Sequence, residues 1–176
     1  MAPRWLPAAP ALGSAPARSW SPTALAFLGD SIWELYARRY YFAPARLHAV
    51  YVAKVTACTR AEAQAAALAA LVAGGALRDP ELAVLKWGRN AQAGRVPERL
   101  RTQASVYRDA TALEVLVGYL YVSDAARLDQ LMAAVGWDAQ GADAPPAPRA
   151  ADSAGLELED SVEGEELSED EVEQDE

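Results

Sequence analysis

The stretch from residue 23 to residue 37 constrains the fold of this chain most strongly, because it reads as one helix with a glycine near its centre. Glycine inside a helix costs about 1 kcal/mol relative to alanine, and it tends to stand where another backbone comes close. Gly29 followed at once by Asp30 therefore predicts a close crossing of two helices with a carboxylate at its edge. Four apolar side chains recur at helical spacing and predict the buried face: Leu25, Leu28, Ile32 and Leu35.

The rest of the sequence predicts a single all-α domain over residues 22–136. Alanine, leucine and arginine dominate its middle and β-branched runs are scarce, which favours helices over strands. No apolar stretch is long enough to cross a bilayer, so no membrane role is expected. Cap and turn signals divide the domain into five helices: from Pro22 to Tyr41 with Ser21 as N-cap, from about 47 to 72, from Pro80 to about 88 with Asp79 as N-cap, from about 104 to 121, and from 124 to 135 with Ser123 as N-cap.

Charge is divided unevenly along the chain. Residues 137–176 hold fifteen acids and one base, a net charge of −14, whereas residues 1–136 hold ten acids and fifteen bases, a net charge of +5. The acidic segment cannot bury enough apolar surface to order itself and is predicted to be a disordered tail. A basic body suits a polyanionic partner such as RNA, although many basic domains bind no nucleic acid.

Residues 1–21 differ from both of these segments. They are rich in alanine, proline and serine, carry arginine and contain no acid. This composition is compatible with a disordered arm and with part of an organelle transit peptide. A plastid location is the prediction on the second interpretation and a cytoplasmic location on the first.

Two acids stand close to glycines on different predicted helices. Asp30 follows Gly29, and Glu114 lies one turn before Gly118. Carboxylates are the ligands that Mg²⁺ prefers, and they would converge here if the two helices pack against each other. From spacing alone, two unrelated surface acids are the simpler explanation.

Three segments resemble the ribonuclease III family, in the family's own order. Phe-Leu-Gly-Asp-Ser-Ile-Trp-Glu, from Phe27 to Glu34, resembles the core of its signature, and the segment from Asp109 to Tyr121 resembles its second motif. Trp-Gly-Arg-Asn-Ala, at 87–91, resembles a loop of Mini-ribonuclease III, the subfamily that has the nuclease domain without a double-stranded-RNA-binding domain. The resemblance spans roughly residues 22–135.

The resemblance implies a Mg²⁺-dependent endoribonuclease of the ribonuclease III helical fold. Such an enzyme acts as a homodimer on double-stranded RNA, here a stem of precursor ribosomal RNA, and leaves 5′-phosphate and 3′-hydroxyl ends. Asp30 and Glu114 match the catalytic and metal-binding positions. Lys86, Arg89 and Asn90 resemble the subfamily's Lys-x-Gly-Arg-Asn-Ala segment, and two cations with an amide suit RNA phosphate contacts. An ordinary solvated loop is the alternative.

The chain departs from the larger ribonuclease III enzymes at two positions where those enzymes carry acids. Ala26 and Thr111 stand there, as in Mini-ribonuclease III proteins, which leaves two carboxylates per protomer. The alternative is therefore a catalytically inactive, RNA-binding or ribosome-associated domain, although the retained acids argue against it. Phe27 and Trp33 are candidates either for the core or for an isologous dimer interface.

The acidic tail is predicted to compete with RNA for the basic body. Removing residues 140–176 should therefore tighten RNA binding, most strongly at low salt where charges are least screened. Equilibrium binding of a double-stranded RNA to the full and truncated chains measures this effect. Equal affinity at low salt would contradict it.

Overall fold

A computed structural model describes residues 7–10, 19–91 and 104–137 of the protein, and these residues form helices and no strand. The predicted all-α class is confirmed. No helix within this part of the chain is long and apolar enough to cross a membrane. The helices in chain order are α1 (Pro22–Phe42), α2 (His48–Thr59), α3 (Ala61–Ala73), α4 (Asp79–Arg89), α5 (Ala104–Ser123) and α6 (Ala125–Val135).

Helix α5 is the centre of the fold. Between Ala110 and Tyr121 almost every residue is buried, on all sides of the helix, which is typical of a helix surrounded by others. Helices α1, α3 and α4 pack directly on α5. Helix α2 packs on α1 and α3, and α6 packs on α5 and α3. Groups carried by α5 can therefore meet groups from several other helices.

Helices α1 and α5 cross in backbone contact at Gly29 and Gly118. A Cβ atom at Gly29 would lie 1.9 Å from the carbonyl oxygen of Glu114, and one at Gly118 would lie 2.1 Å from the carbonyl oxygen of Leu25. Cβ atoms essentially never come within 3.0 Å of such neighbours, so only glycine fits on each side. The close crossing predicted from Gly29 is confirmed.

The buried face of α1 differs from the predicted one. Leu25 and Ile32 are buried and Leu28 packs half-buried against the core, as predicted, but Leu35 is 42 % exposed. The face includes Gly29 and Trp33 instead, and the Trp33 side chain is 1 % exposed and donates from Nε1 to the carbonyl of Cys58 at 3.1 Å. Glycine has no apolar side chain, so the hydropathy pattern does not mark the side of α1 that contacts α5 at Gly29. Trp33 therefore belongs to the core and not to a dimer interface.

The single helix predicted from about 47 to 72 is wrong, because α2 and α3 are separate helices. Arg60 has an extended backbone (φ −71°, ψ 148°) and its carbonyl accepts hydrogen bonds from the N–H groups of Ala63 and Gln64. The break lets α3 pack along α5 while α2 packs against α1. Neither proline nor glycine stands near Arg60, so the usual break signals are missing there.

Two predicted N-caps are wrong by one residue. Helix α4 follows Arg78, whose backbone N–H donates to Glu81 Oε2 at 2.8 Å, so Asp79 is already helical. Helix α6 follows Asp124, whose Oδ1 accepts from the N–H of Arg127 at 3.0 Å. Ser123 is the last residue of α5. In each case a carboxylate accepts a hydrogen bond from a backbone N–H group at the start of the helix, and this bond determines where the helix begins.

A buried ion pair joins α4 to α6. Arg127 donates from Nε to Glu81 Oε1 at 2.6 Å and from Nη2 to Glu81 Oε2 at 2.9 Å, and Nη2 also donates to the carbonyl of Ala76 at 2.6 Å. The hydrogen bonds from Arg127 hold the pKa of Glu81 below its ordinary value. This two-point pairing fixes the orientation of α4 on the body.

The described ends of the chain lie against the body. Gly136 has φ 97°, a left-handed conformation that turns the chain so that Trp137 is buried against Trp33, with ring centroids 4.4 Å apart. The body thus extends one residue past the predicted boundary at 136. At the other end, the Tyr121 hydroxyl donates to the carbonyl of Pro7 at 2.8 Å. Residues 1–6 and 11–18 of the predicted arm and the predicted tail from residue 138 lie outside the described residues.

The glycine contact generates a stability prediction. Alanine at position 29 gains about 1 kcal/mol of helix propensity, but its Cβ must push apart two backbones that have no side chain to give way. Overpacking costs about 1–3 kcal/mol, and a clash with backbone atoms belongs at the upper end of that range. After the propensity gain we expect Gly29→Ala to lower the free energy of unfolding by about 2 kcal/mol. Denaturant unfolding measures this, with Gly74→Ala as control because Gly74 meets a single backbone atom at 3.2 Å. A stabilised Gly29→Ala protein would contradict the crossing.

Candidate active site

Asp30 and Glu114 meet where α1 and α5 cross. Asp30 follows Gly29, and the carbonyl of Glu114 is the atom that a side chain at position 29 would strike. The two carboxylates are close enough for the charge of Asp30 to raise the pKa of Glu114. Glu114 lies deeper and is half-buried, whereas Asp30 stands at the exposed rim.

The environment of both acids opposes their ionisation. Burial, and next the negative charge of Asp30, raise the pKa of Glu114 to about 7. Partial burial of its carboxylate, and next the charge of Glu34, raise the pKa of Asp30 above its ordinary value. Neither acid forms an ion pair with any residue in the described ranges. Two carboxylates in this arrangement are most stable when at least one holds a proton or when both share a cation.

Gln64, on α3, is a third polar side chain at this site, and it was not among the residues predicted from the sequence. It is 2 % exposed and lies beside Glu114, whose pKa it lowers. The Gln64 amide is close enough to the Glu114 carboxylate to affect its pKa. The two groups do not meet hydrogen-bond geometry, so Nε2 has no hydrogen-bond partner. A buried donor without an acceptor costs about 1–3 kcal/mol. The signal was present, because position 64 lies four residues before Leu68 and seven before Leu71 on the buried side of α3.

The donor set at the crossing fits a divalent cation of the hard class. Carboxylate and amide oxygens are the ligands that such cations prefer, and a double positive charge would offset the repulsion between the two acids. Ala26 and Thr111, where larger enzymes carry acids, are both buried. No cluster of three or more histidine, cysteine or acidic residues occurs among the residues the structure describes. Protein ligands at this crossing are therefore few, and water would complete a coordination shell.

Lys86, Arg89 and Asn90 lie at the C-terminal end of α4 and are exposed. Arg89 Nη2 stands 2.5 Å from Asp109 Oδ1, an ion pair whose angle does not make a hydrogen bond. Lys86 has no ion pair within the described part of the chain. Together with apolar residues of α3, Lys86, Arg89 and Asp109 line a groove between α3, α4 and α5. The structure thus brings the two acids together and sets the basic residues apart from them, on the α4 side of α5.

The raised pKa of Glu114 makes the stability of the protein depend on pH. The folded protein keeps this proton up to about pH 7, whereas the unfolded chain loses it near pH 4.5, so stability falls as pH rises between these values. Glutamine has no proton to lose. We therefore expect Glu114→Gln, in EDTA, to be more stable than the parent at pH 8 by on the order of 3 kcal/mol, with the difference shrinking towards pH 5.

Thermal unfolding from pH 5 to pH 8 measures this difference. Glu34→Gln is the matched control, because Glu34 is the other acid of α1, one turn from Asp30, and is paired with Arg38 at 2.6 Å on the surface. The stability of Glu34→Gln relative to the parent is measured over the same pH range for comparison. A constant difference between Glu114→Gln and the parent would show that Glu114 is ionised throughout.

Comparison with known proteins places this chain in one family. A profile of the Ribonuclease III domain matches residues 23–125. The chain is 42 % identical over 118 residues to a Mini-ribonuclease 3 of Synechocystis sp., which covers 67 % of this chain and 79 % of that protein. It is 44 % identical over 122 residues to a Mini-ribonuclease 3 of Synechococcus sp., which covers 69 % of this chain and 84 % of that protein.

The fold is also similar to that of a solved structure. A crystal structure of a protein from Fusobacterium nucleatum superposes with a TM-score of 0.52 at 28 % identity and covers 60 % of this chain and 81 % of that one. The family acts on double-stranded RNA, and its members use divalent metals. The motifs, the helical fold and the matched relatives agree: the chain belongs to the ribonuclease III family and is an endoribonuclease of the Mini-ribonuclease III type.

Proposed function

We propose that the protein is a homodimeric, Mg²⁺-dependent endoribonuclease that cleaves double-stranded RNA, with Asp30 and Glu114 as its metal-binding and catalytic carboxylates. The observation that carries the proposal is the convergence of these two acids at a glycine crossing inside a ribonuclease III domain. Mg²⁺ takes one or two carboxylates and keeps several waters. A site with two acids is suited to it.

The chemistry divides between the ion and the side chains. When bound, Mg²⁺ would activate a water and offset negative charge on the scissile phosphate. Glu114 holds its carboxylate below the surface, where few waters compete for it, and Asp30 holds the second carboxylate at the rim, within reach of RNA. Because the two acids have no cationic partner among the described residues, their charge is available to a bound ion.

The RNA surface is proposed to include Lys86, Arg89 and Asn90. Double-stranded RNA is recognised mainly through its phosphates, 2′-hydroxyls and shape, so exposed cations and an amide suffice without base contacts. Asp109 holds the guanidinium of Arg89 against α5, whereas Lys86 is unpaired within the described ranges. Lys86→Ala should therefore weaken RNA binding in EDTA and reduce the slope of log K against log salt by about 1. An unchanged slope would remove Lys86 from the interface.

The dimer is proposed to form around the exposed side of α1. Phe27 is 81 % exposed, and Leu35, two turns further along α1, is also exposed. A large apolar side chain in water next to Asp30 is unfavourable unless another surface covers it, and a second copy of the chain would place two sites beside one interface. We expect Phe27→Glu to sediment as a monomer, and the control Val72→Glu, on the exposed side of α3, to remain a dimer. A Phe27→Glu protein that stays dimeric would place the interface elsewhere.

A base-paired stem of precursor ribosomal RNA is the proposed substrate, and a plastid the proposed location. The resemblance to Mini-ribonuclease III supports the first, and the acid-free, arginine-bearing composition of residues 1–21 supports the second. Sequencing of RNA ends after depletion of the protein tests the substrate, since unprocessed ribosomal termini should accumulate. A fluorescent fusion to the full chain tests the location, and cytoplasmic signal would overturn it.

Cleavage of a long double-stranded RNA tests the proposed site directly. We expect cutting with Mg²⁺, none with EDTA, and a loss of at least about a hundredfold in Asp30→Asn, because one of only two carboxylate ligands becomes neutral. The products should carry 5′-phosphates. Glu34→Gln is the matched control, since it removes an acid one turn from Asp30 and should cut like the parent.

Two results would contradict this assignment. Cleavage that survives in Asp30→Asn would move the metal site away from the crossing. Binding of RNA without cutting, equal in the parent and in Asp30→Asn, would mean that Asp30 and Glu114 do not form a catalytic site.

A further inference from the structure

Gln64 has a feature that packing alone does not account for. Its side chain is almost fully buried, yet Nε2 has no hydrogen-bond partner. Buried polar side chains nearly always have partners, so each exception asks for an explanation. The Gln64 side chain lies beside the carboxylate of Glu114, on the helix along which α3 packs. The unpartnered donor is thus next to a carboxylate that the proposed function assigns to a cation.

The start of α3 and its packing on α5 determine where Gln64 lies. The extended backbone at Arg60 starts a new helix, and the backbone N–H of Gln64 donates to the Arg60 carbonyl at 3.0 Å in its first turn. Helix α3 then packs along α5, with Leu68 buried one turn after Gln64 on the same side. The amide therefore approaches Glu114 from a different helix than Asp30 does. Had α2 and α3 been one continuous helix, this approach would not exist.

We propose that Gln64 is a positioning residue for Glu114: its Nε2 donates to one carboxylate oxygen and so directs the other towards the bound divalent cation. The inference rests on the proposed role of Glu114. Groups that hydrogen-bond a metal ligand fix its orientation, and removing them commonly costs 10- to 100-fold in metal affinity. A neutral amide is suited to this task, since an acid would add a third negative charge and a lysine or arginine would compete with the cation for the carboxylates.

Replacement by methionine tests the proposal, because methionine keeps the length of the glutamine side chain but cannot donate. We expect Gln64→Met to raise the Mg²⁺ concentration for half-maximal cleavage at least tenfold, and to weaken Mn²⁺ binding, measured by calorimetry without RNA, by a similar factor. The melting temperature in EDTA should be unchanged or higher, since the substitution removes a buried donor without a partner. Leu68→Met is the matched control: a buried residue of the same helix, one turn away, receives the same side chain.

The outcomes separate this inference from the proposed function. If the parent protein neither cuts RNA nor binds Mn²⁺, the proposed function fails. If the parent does both and Gln64→Met matches Leu68→Met in both metal measurements, Gln64 has only a packing role and the inference is overturned. Weaker metal binding in Gln64→Met alone, at an unchanged melting temperature, supports it.

A measurement on the parent protein covers the case in which Gln64→Met does not fold. The Nε2 protons of Gln64 give a side-chain amide signal in ¹⁵N-labelled protein. We expect Mg²⁺ to shift this signal and to slow its exchange with solvent, because a bound cation would fix the carboxylate oxygen to which Nε2 donates. A signal that Mg²⁺ leaves unchanged, while resonances near Asp30 move, would overturn the inference.

Discussion

The backbone contact between α1 and α5 fixes the relative position of the two helices that carry the site acids. At the point where two helices touch without intervening side chains, the residues next to the contact emerge from both helices at nearly the same place. Asp30 and Glu114 occupy such positions, so their meeting does not depend on a loop. Groups held on packed helices keep their geometry better than groups on loops, which suits chemistry that needs two ligands in a fixed relation.

The same contact brings together two partly buried carboxylates, and other interactions in the fold must offset the free-energy cost of ionising them. Burial raises the pKa of both acids, and the charge of Asp30 raises that of Glu114 further, so their ionised forms oppose folding. The offsetting contributions lie elsewhere, in the apolar surround of α5 and in the two-point pairing of Arg127 with Glu81. Inside the site the chain uses a neutral amide, Gln64, where a basic residue would have relieved the repulsion. Local rules are broken at this crossing, as is expected at a site shaped by function.

Much of this arrangement could be predicted from sequence, because the relevant signals are local. A glycine within an apolar helix predicted the crossing, and Ser21 followed by Pro22 predicted the start of α1. The missing parts are non-local. The break at Arg60 has no glycine or proline, and the pairing of Glu81 with Arg127 joins residues 46 positions apart. Gln64 was not predicted because its importance lies in which helix it contacts, and the buried side of α1 was predicted only in part, with Leu35 exposed and Gly29 buried, because glycine carries no apolar signal.

The reciprocity of the two glycines has a consequence for how the sequence can change over time. A side chain at 29 would strike the backbone near Gly118, and a side chain at 118 would strike the backbone near Gly29, so both strain the same contact. Once either position has acquired a Cβ and separated the helices, the second replacement meets space that the first has already opened. The energetic effects of the two changes are then strongly non-additive. Natural variants should accordingly keep both glycines or lose both, and a lineage that has lost them has also let the two acids drift apart.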